Sequence, residues 1–245
     1  MGQHGQYGPL VRLGAALIVG ALLTAAPAGA ACRLALLLAL DISSSVNPAE
    51  DALQRAGLAA ALIAPEVQAE ILATPEAPVA LAVYEWSGRY QQDMVLDWQL
   101  LDSAAAILAA AERIARSQRS YAEFPTAMGY GLGYGARLFQ DAPDCLYRTL
   151  DISGDGVNND GFGPELAYRN FPFKGITVNG LAIGGATDND AEVFAFYRDE
   201  VIRGPGAFVE TASDFADFER AMQRKLQREL AARVYGGTPV LPGGG

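Results

Sequence analysis

The chain has 245 residues, and its 28 acidic residues outnumber its 18 lysines and arginines, which gives a formal net charge of −10 at pH 7. This acidic balance argues against nucleic acids and anionic membranes as partners, because both repel a negatively charged surface. The only histidine is His4, near the N-terminus, so the rest of the chain offers no Ser-His-Asp or Cys-His catalysis and no histidine-based zinc site.

The first thirty residues have the pattern of a secretory signal peptide. A polar stretch with one arginine precedes the apolar run 13–23, and Ala28-Gly29-Ala30 is a small-residue cleavage signal. The apolar run is too short for a stable membrane span. We therefore predict a signal peptide over residues 1–30 and an exported chain, periplasmic or secreted, without membrane insertion.

The remainder has the size and pattern of one α/β domain. We predict this domain over residues 31–235 and a flexible tail over 236–245. Apolar strands alternate with amphipathic helices, which indicates a doubly wound, mainly parallel sheet flanked by helices.

The predicted elements follow one another in a regular order along the chain. The first half contains strand 34–40, helix 48–64, strand 79–86, a short edge strand 94–98, helix 103–116 and helix 126–139. The second half contains strand 146–153, strand 176–183, helix 190–199, a short strand 207–210 and helix 213–233. Helix 126–139 includes four glycines, each of which weakens a helix, so we expect it to pack closely against the sheet.

The two cysteines, Cys32 and Cys145, each lie at or just before a predicted strand. In an exported protein an even number of cysteines indicates a disulfide. If the two strands are parallel neighbours, both cysteines lie near the amino end of the sheet, where a bridge is geometrically allowed. We predict a disulfide between them, and two unpaired buried thiols are the alternative.

Asp41, Ser43 and Ser45 directly follow the apolar strand 34–40. Open α/β sheets place their ligand crevice at this point, outside the carboxyl ends of the strands. A carboxylate and two hydroxyls are hard oxygen ligands, which suit Mg²⁺, Mn²⁺ or Ca²⁺. The alternative is that the serines cap the helix that begins near Pro48.

Two later residues complete a constellation: Thr126 opens a predicted helix, and Asp155 follows a predicted strand. Together with Asp41-x-Ser43-x-Ser45, they resemble the metal-ion-dependent adhesion site of the von Willebrand factor type A (vWA) domain family, especially exported bacterial members of uncharacterised function. The resemblance implies that Ser43, Ser45 and Thr126 hold a divalent ion through their hydroxyls, and that Asp41 and Asp155 act largely through bound water. It also implies an open coordination position that accepts a carboxylate from a partner protein.

Three positions around this constellation have more than one interpretation. Thr126 is preceded by Glu123-Phe124-Pro125, where the vWA family usually has a glycine-rich segment, and its hydroxyl is also suited to cap a helix. Ser153-Gly154 precedes Asp155, where the family often has an apolar residue and a threonine. Asn158-Asn159-Asp160 forms either a solvated turn, which we favour, or a group behind the ion.

Gly154-Asp155-Gly156-Val157-Asn158 also resembles the acidic loop of haloacid-dehalogenase-type phosphatases. Those enzymes need a second aspartate two residues after the nucleophile, where this chain has Ser43, and a lysine that neutralises the phosphoryl group. No lysine lies between Asp41 and Asp155. We therefore expect a protein-binding module and not an enzyme. A vWA-fold scaffold that binds its partner without metal is the remaining alternative, because an acidic protein attracts carboxylates poorly at long range.

Overall fold

A computed structural model of the chain describes residues 1–2, 32–184 and 188–234. The predicted signal peptide, apart from its first two residues, and the predicted tail lie outside the described residues. Of the helices in the described ranges, none combines the length and the apolar character that crossing a membrane requires.

Within the described residues, six strands form one sheet. They are β1 (Cys32–Asp41), β2 (Val79–Trp86), β3 (Gln92–Leu101), β4 (Cys145–Gly154), β5 (Ile176–Ile183) and β6 (Val209–Ala212). They lie in the order β3-β2-β1-β4-β5-β6, and every neighbouring pair is parallel except β2 with β3. Every residue of β1, β2 and β5 is buried, because helices cover both faces of the sheet. The predicted doubly wound α/β fold is confirmed.

The described helices are α1 (Pro48–Ile63), α2 (Pro65–Ile71), α3 (Ala104–Arg116), α4 (Met128–Leu138), α5 (Pro164–Asn170), α6 (Asp188–Phe196) and α7 (Phe218–Val234). A π-turn, Tyr197–Val201, continues α6. Alternate residues of β1 serve the two faces of the sheet: Leu36 packs in a core with α1, α2, α3 and α7, and Leu37 in a core with α4, α5 and α6.

Two of these helices, α2 and α5, are absent from the sequence prediction. Each begins with a proline after a residue with extended backbone, Ala64 or Gly163. Each has only seven residues, which is too short for a 3.6-residue apolar period to be recognised.

Several predicted bounds also differ from the structure. β3 is the predicted edge strand, but it has ten residues and is longer than the predicted strand 94–98. Register shifts against β2 interrupt its alternating pattern, so the pattern does not reveal the full length of the strand. β6 lies two residues later than predicted, where the backbone first pairs with β5. The predicted helix 190–199 is divided into α6 and the π-turn. The last helix begins at Phe218, because Asp214 and Asp217 accept backbone hydrogen bonds in a turn before it.

A disulfide joins Cys32 to Cys145, which is the predicted pairing. The two residues are register partners in β1 and β4, and their Cα atoms are 4.5 Å apart. The bridge spans 113 residues of sequence, and closing such a loop restricts the unfolded chain enough to stabilise the fold by about 4–5 kcal/mol. It therefore fixes the amino ends of the two strands whose carboxyl ends carry the candidate ligands.

The glycines of α4 pack against the sheet, as predicted. A Cβ on Gly131 would lie 2.9 Å from an indole carbon of Trp86, and one on Gly135 would lie 2.7 Å from the hydroxyl of Tyr84. No larger residue fits at either position without displacing the ring opposite. The close approach keeps the start of α4, and with it Thr126, next to the carboxyl end of β2.

A buried ion network holds α7 against the sheet. Lys225 is fully buried and forms an ion pair with Asp151 of β4, and its Nζ lies 3.8 Å from Glu229. Asn179 of β5 donates a hydrogen bond to Glu229 at 3.0 Å, and the ring of Phe208 lies 4.9 Å from the ammonium. Removing one member of such a network leaves the remaining charges buried without compensation.

We expect Lys225→Met to lower the free energy of unfolding by about 3–5 kcal/mol, because the buried carboxylates of Asp151 and Glu229 then lose the ammonium of Lys225. Urea denaturation followed by circular dichroism measures the change. Arg224→Met is the matched control: the neighbouring Arg224 forms an exposed pair with Glu210, so its loss costs about 1 kcal/mol or less. Equal effects of the two substitutions would contradict this assignment.

Candidate metal centre

The five predicted ligands converge at the carboxyl edge of the sheet. Asp41 is the last residue of β1, Ser43 and Ser45 follow it in the loop to α1, and Asp155 comes directly after β4. Thr126 lies two residues before α4. Because β1 and β4 are parallel neighbours, their carboxyl ends adjoin and bring the two aspartates to one crevice.

Hydrogen bonds connect four of the five residues. The backbone N–H of Ser43 donates to Oδ1 of Asp41 at 2.7 Å. Ser45 Oγ lies 3.1 Å from Ser43 Oγ and donates to Oδ1 of Asp155 at 2.7 Å. Gly156 follows Asp155, and a Cβ added to this glycine would lie 3.6 Å from Oγ1 of Thr126. The two serines and the two aspartates therefore form one hydrogen-bonded group, and Thr126 lies beside it.

None of the three hydroxyl residues caps a helix. Asn47 caps α1: its Oδ1 accepts from the N–H groups of residues 49 and 50 at 2.9 and 3.1 Å, and Glu50 bonds back to the N–H of Asn47 at 2.8 Å. The residue at the N-cap of α4 is Ala127, which makes no side-chain capping bond. The capping alternatives for Ser43, Ser45 and Thr126 are wrong, because other residues stand at the N-caps of α1 and α4.

Asp41 lies in an unfavourable environment for a charge. It is 0% exposed, and its Oδ2 has no hydrogen-bond partner. Burial, and next the charge of Asp155, raise the pKa of Asp41 to about 7. Burial also raises the pKa of Asp155 above its ordinary value. A cation in the crevice would stabilise both carboxylates in their ionised form.

The donor set fits a hard divalent ion. The set consists of two carboxylates and three hydroxyls, which offer oxygen atoms as metal ligands. Oδ2 of Asp41 accepts no hydrogen bond. In the part of the chain that the structure describes, no group of three or more histidine, cysteine, aspartate or glutamate side chains could hold a metal ion. This candidate site differs from such groups because hydroxyls make up most of its ligands.

Arg119 fixes the loop that carries Thr126 to the loop that carries the serines. Its guanidinium donates to the backbone oxygens of Ile42 and Val46 at 2.6 and 2.8 Å. A backbone hydrogen bond from Ser44 to Phe124, 2.8 Å long, joins the same two loops. The sequence carries no signal for this role, because a bond from a side chain to a backbone oxygen 77 residues away follows no local pattern.

Asn159 holds Thr126 from the other side. Its Oδ1 accepts the N–H of Thr126 at 2.9 Å, and its own N–H donates to the carbonyl of Thr126 at 3.0 Å. Asn159 itself is exposed, but its side chain and that of Asn158, whose Oδ1 accepts the N–H of Gly129 at 3.4 Å, both hold the Thr126 segment. These contacts favour the alternative that the segment 158–160 is a group behind the candidate ion site. The contact between Asn159 and Thr126 joins residues 33 positions apart, so no local pattern in the sequence identifies it.

A second buried network supports the base of the Thr126 loop. Arg55 of α1 contacts both carboxylate oxygens of Asp51 at 3.0 Å and donates to Oε2 of Glu85, on β2, at 2.5 Å. Oε1 of Glu85 accepts the backbone N–H of Ser120 at 2.6 Å. Helix, strand and loop are therefore joined through charged hydrogen bonds, which are stronger than neutral ones.

Comparison of the sequence with protein families gives one match. Residues 31–234 match the family described as "Protein of unknown function (DUF1194)". The chain belongs to this family. A search of the curated proteins finds no match to it.

Solved structures show the same fold as this DUF1194 protein. Proximal thread matrix protein 1 from the mussel byssus, with a zinc-occupied MIDAS motif, has a TM-score of 0.56 at 16% identity, covering 82% of this chain and 48% of its own. A von Willebrand factor type A protein from Catenulispora acidiphila has a TM-score of 0.52 at 18% identity, covering 81% and 43%. The pilus adhesin SpaC from Lactobacillus rhamnosus GG has a TM-score of 0.56 at 13% identity, covering 84% and 31%. This chain therefore spans less than half the length of each, and at these identities the likeness confirms the predicted vWA fold alone.

We expect Asp41→Asn to stabilise the ion-free protein at pH 8. The pKa of Asp41, about 7, lies above the ordinary value of 3.8, so this group contributes stability at pH below about 4 that is lost as pH rises through 7. A shift of about three units corresponds to about 4 kcal/mol, so the amide should add about 2–4 kcal/mol at pH 8 and much less near pH 4.

Urea denaturation with a chelator present, at both pH values, measures this gain. Asp160→Asn is the control, because Arg89 lowers the pKa of that exposed carboxyl and its removal should give no gain at pH 8. An unchanged unfolding free energy for Asp41→Asn at pH 8 would show that the buried carboxylate is not strained.

Proposed function

We propose that this protein is an exported recognition module that binds a divalent ion, Mg²⁺ or else Mn²⁺ or Ca²⁺, and captures a carboxylate of a partner protein. The proposed ligands are Asp41, Ser43, Ser45, Thr126 and Asp155. The observation that most supports this function is the buried Oδ2 of Asp41, which has no hydrogen-bond partner although it lies in the crevice of the candidate metal ligands. An acceptor of this kind needs a cation or a donor.

The charges of the site favour capture of an acidic group. When bound, the ion would supply an electrophilic position open to a partner's carboxylate. Of the five proposed ligands, only Asp41 and Asp155 carry charge. Their two negative charges at most balance the two positive charges of the ion, so the site does not become negative overall. The N–H of Ser43 orients Asp41, and the hydroxyl of Ser45 orients Asp155.

Aromatic side chains beside the site supply the rest of a recognition surface. Tyr90 is 80% exposed and packs edge-on against Tyr130, whose ring stacks on Phe162 with centroids 4.1 Å apart. This aromatic group adjoins the site because the carbonyl of Thr126 accepts the N–H of Asp160, two residues before Phe162. Exposed aromatic residues are enriched at protein interfaces, which supports a protein as the partner.

The structures of the same fold are consistent with this proposal. SpaC is a pilus adhesin, and the mussel protein is described with a zinc-occupied MIDAS motif. We extend both features to this chain as part of the proposal, on the strength of its own oxygen donors.

The position of the lysines supports a binding module over a phosphatase. Lys225 is fully buried against Asp151, and Lys174 precedes β5 at the amino edge of the sheet. Neither is placed to neutralise a phosphoryl group beside Asp41, and Ser43 replaces the acid/base aspartate that phosphoryl transfer needs. We propose that the protein is not an enzyme.

Calorimetric titration of Mg²⁺, Mn²⁺ and Ca²⁺ into the purified protein tests the metal site. We expect saturable binding at one site, which Asp41→Ala and Asp155→Ala abolish because each removes one of the two ionised ligands. Asp160→Asn is the matched control: Asp160 lies in the same loop as Asp155 but pairs with Arg89, so the variant should bind like the wild type. No saturable binding by the wild type would overturn the metal site.

The acidic charge of the chain favours one second candidate, a scaffold that binds its partner without metal. Ser43→Ala separates the two functions once a partner is identified. Under the metal-dependent function, partner binding falls with metal binding in this variant and in the wild type with chelator. A partner that stays bound under both conditions would support the scaffold.

A further inference from the structure

Tyr197 is a buried tyrosine without a hydrogen-bond partner. It is the first residue of the π-turn, it is 0% exposed, and its hydroxyl makes no hydrogen bond. Its ring passes over β5, where a Cβ on Gly180 would lie 2.5 Å from the ring carbon Cδ1. A tyrosine pays about 1–3 kcal/mol to bury an unpaired hydroxyl, and a phenylalanine would fill the same space without that cost. The hydroxyl therefore requires an explanation.

The hydroxyl of Tyr197 faces the unpartnered oxygen of Asp41. A Cβ on Gly154 would lie 2.5 Å from Oδ2 of Asp41 and 2.8 Å from the hydroxyl of Tyr197. Both oxygens therefore border the same small space, which exists because residue 154 has no side chain. Oδ1 of Asp41 already accepts from the N–H of Ser43, whereas Oδ2 accepts from none. One buried donor and one buried acceptor, each unpaired, lie on two sides of one glycine.

We propose that Tyr197 is a positioning residue of the ion site, whose hydroxyl donates a hydrogen bond to Oδ2 of Asp41 through one water molecule. This inference depends on the proposed metal-binding function. The N–H of Ser43 and the phenol of Tyr197 then fix both oxygens of one carboxylate, and its orientation is set before an ion arrives. Hydrogen bonds behind metal-ligating carboxylates have this effect on affinity.

The hydroxyl is suited to be a donor. Burial, and then the charges of Asp41 and Asp155, raise the pKa of Tyr197 well above its ordinary value, so the phenol keeps its proton. The π-turn that carries it is fixed independently of the site: the hydroxyl of Tyr168 donates to the carbonyl of Val201, the last residue of the turn. The ring position therefore does not depend on the contact with Asp41.

Tyr197→Phe tests the role, because it keeps the ring over Gly180 and removes only the hydroxyl. We expect the Kd for Mn²⁺, measured by calorimetry, to rise about tenfold. Tyr168→Phe is the matched control: it removes a partly buried hydroxyl that holds the same π-turn and bonds to Val201, away from Asp41. Its Kd for Mn²⁺ should remain within about twofold of the wild type, a range well below the expected loss.

Urea denaturation of the same variants with a chelator present separates positioning from packing. A Tyr197→Phe protein with a changed unfolding free energy but wild-type Mn²⁺ affinity has lost only a packing group, and this result would overturn the proposal. Mn²⁺ binding that is absent from the wild type and from Tyr168→Phe would overturn the metal site itself and this role with it. A crystal structure with Mn²⁺ should show a water molecule about 2.7 Å from both the phenol oxygen and Oδ2.

Discussion

A carboxylate buried at the end of the central strand is the constraint on which the candidate site depends. Asp41 ends β1, which lies between β2 and β4, and water does not reach its side chain. A carboxylate in such a place must be protonated, hydrogen-bonded or paired with a cation. The N–H of Ser43 satisfies one of its oxygens. Its other oxygen accepts no hydrogen bond and borders the same small space as the hydroxyl of Tyr197, so this one atom is where the crevice requires a cation or a donor.

The loops that carry the ligands are irregular, and buried charges make them rigid. Arg119 joins the Thr126 loop to the serine loop, and the Arg55–Glu85 pair joins its base to α1 and β2. Such networks are expensive to bury and add little stability when complete, but they permit one arrangement of the backbone. Lys225 does the same for α7, which packs on the same face of the sheet as α1. The ion networks therefore position ligands and helices, and apolar packing provides most of the stability.

The parts predicted from the sequence are those whose signal is contiguous. β1, β2 and β5 are predominantly apolar because both faces of a parallel sheet are covered, and Asp41-x-Ser43-x-Ser45 follows the apolar run of β1 directly. Thr126 and Asp155 are joined to that motif only by the resemblance to the vWA family, since 85 or more residues separate them from Asp41 in sequence. Arg119, Asn159 and Tyr197 act through contacts between distant segments, which no local pattern encodes. The short helices α2 and α5 are missed for a related reason, because seven residues contain too few turns to establish a period.

Gly154 is a departure from the vWA family pattern that bears on the surroundings of Asp41. The vWA family often has a threonine at this position, whereas a side chain here would collide with both Asp41 and Tyr197. In the proposed arrangement, the hydrogen bond to Oδ2 comes from the π-turn through a water molecule instead of from the sheet. The turn is held to the sheet by paired backbone hydrogen bonds between Val178 and Arg203, 2.7 and 3.0 Å long. The orientation of the candidate ligand therefore depends on how α6 and its π-turn pack on β5, so a disturbance of that packing would reach Asp41 without touching any of the five ligands.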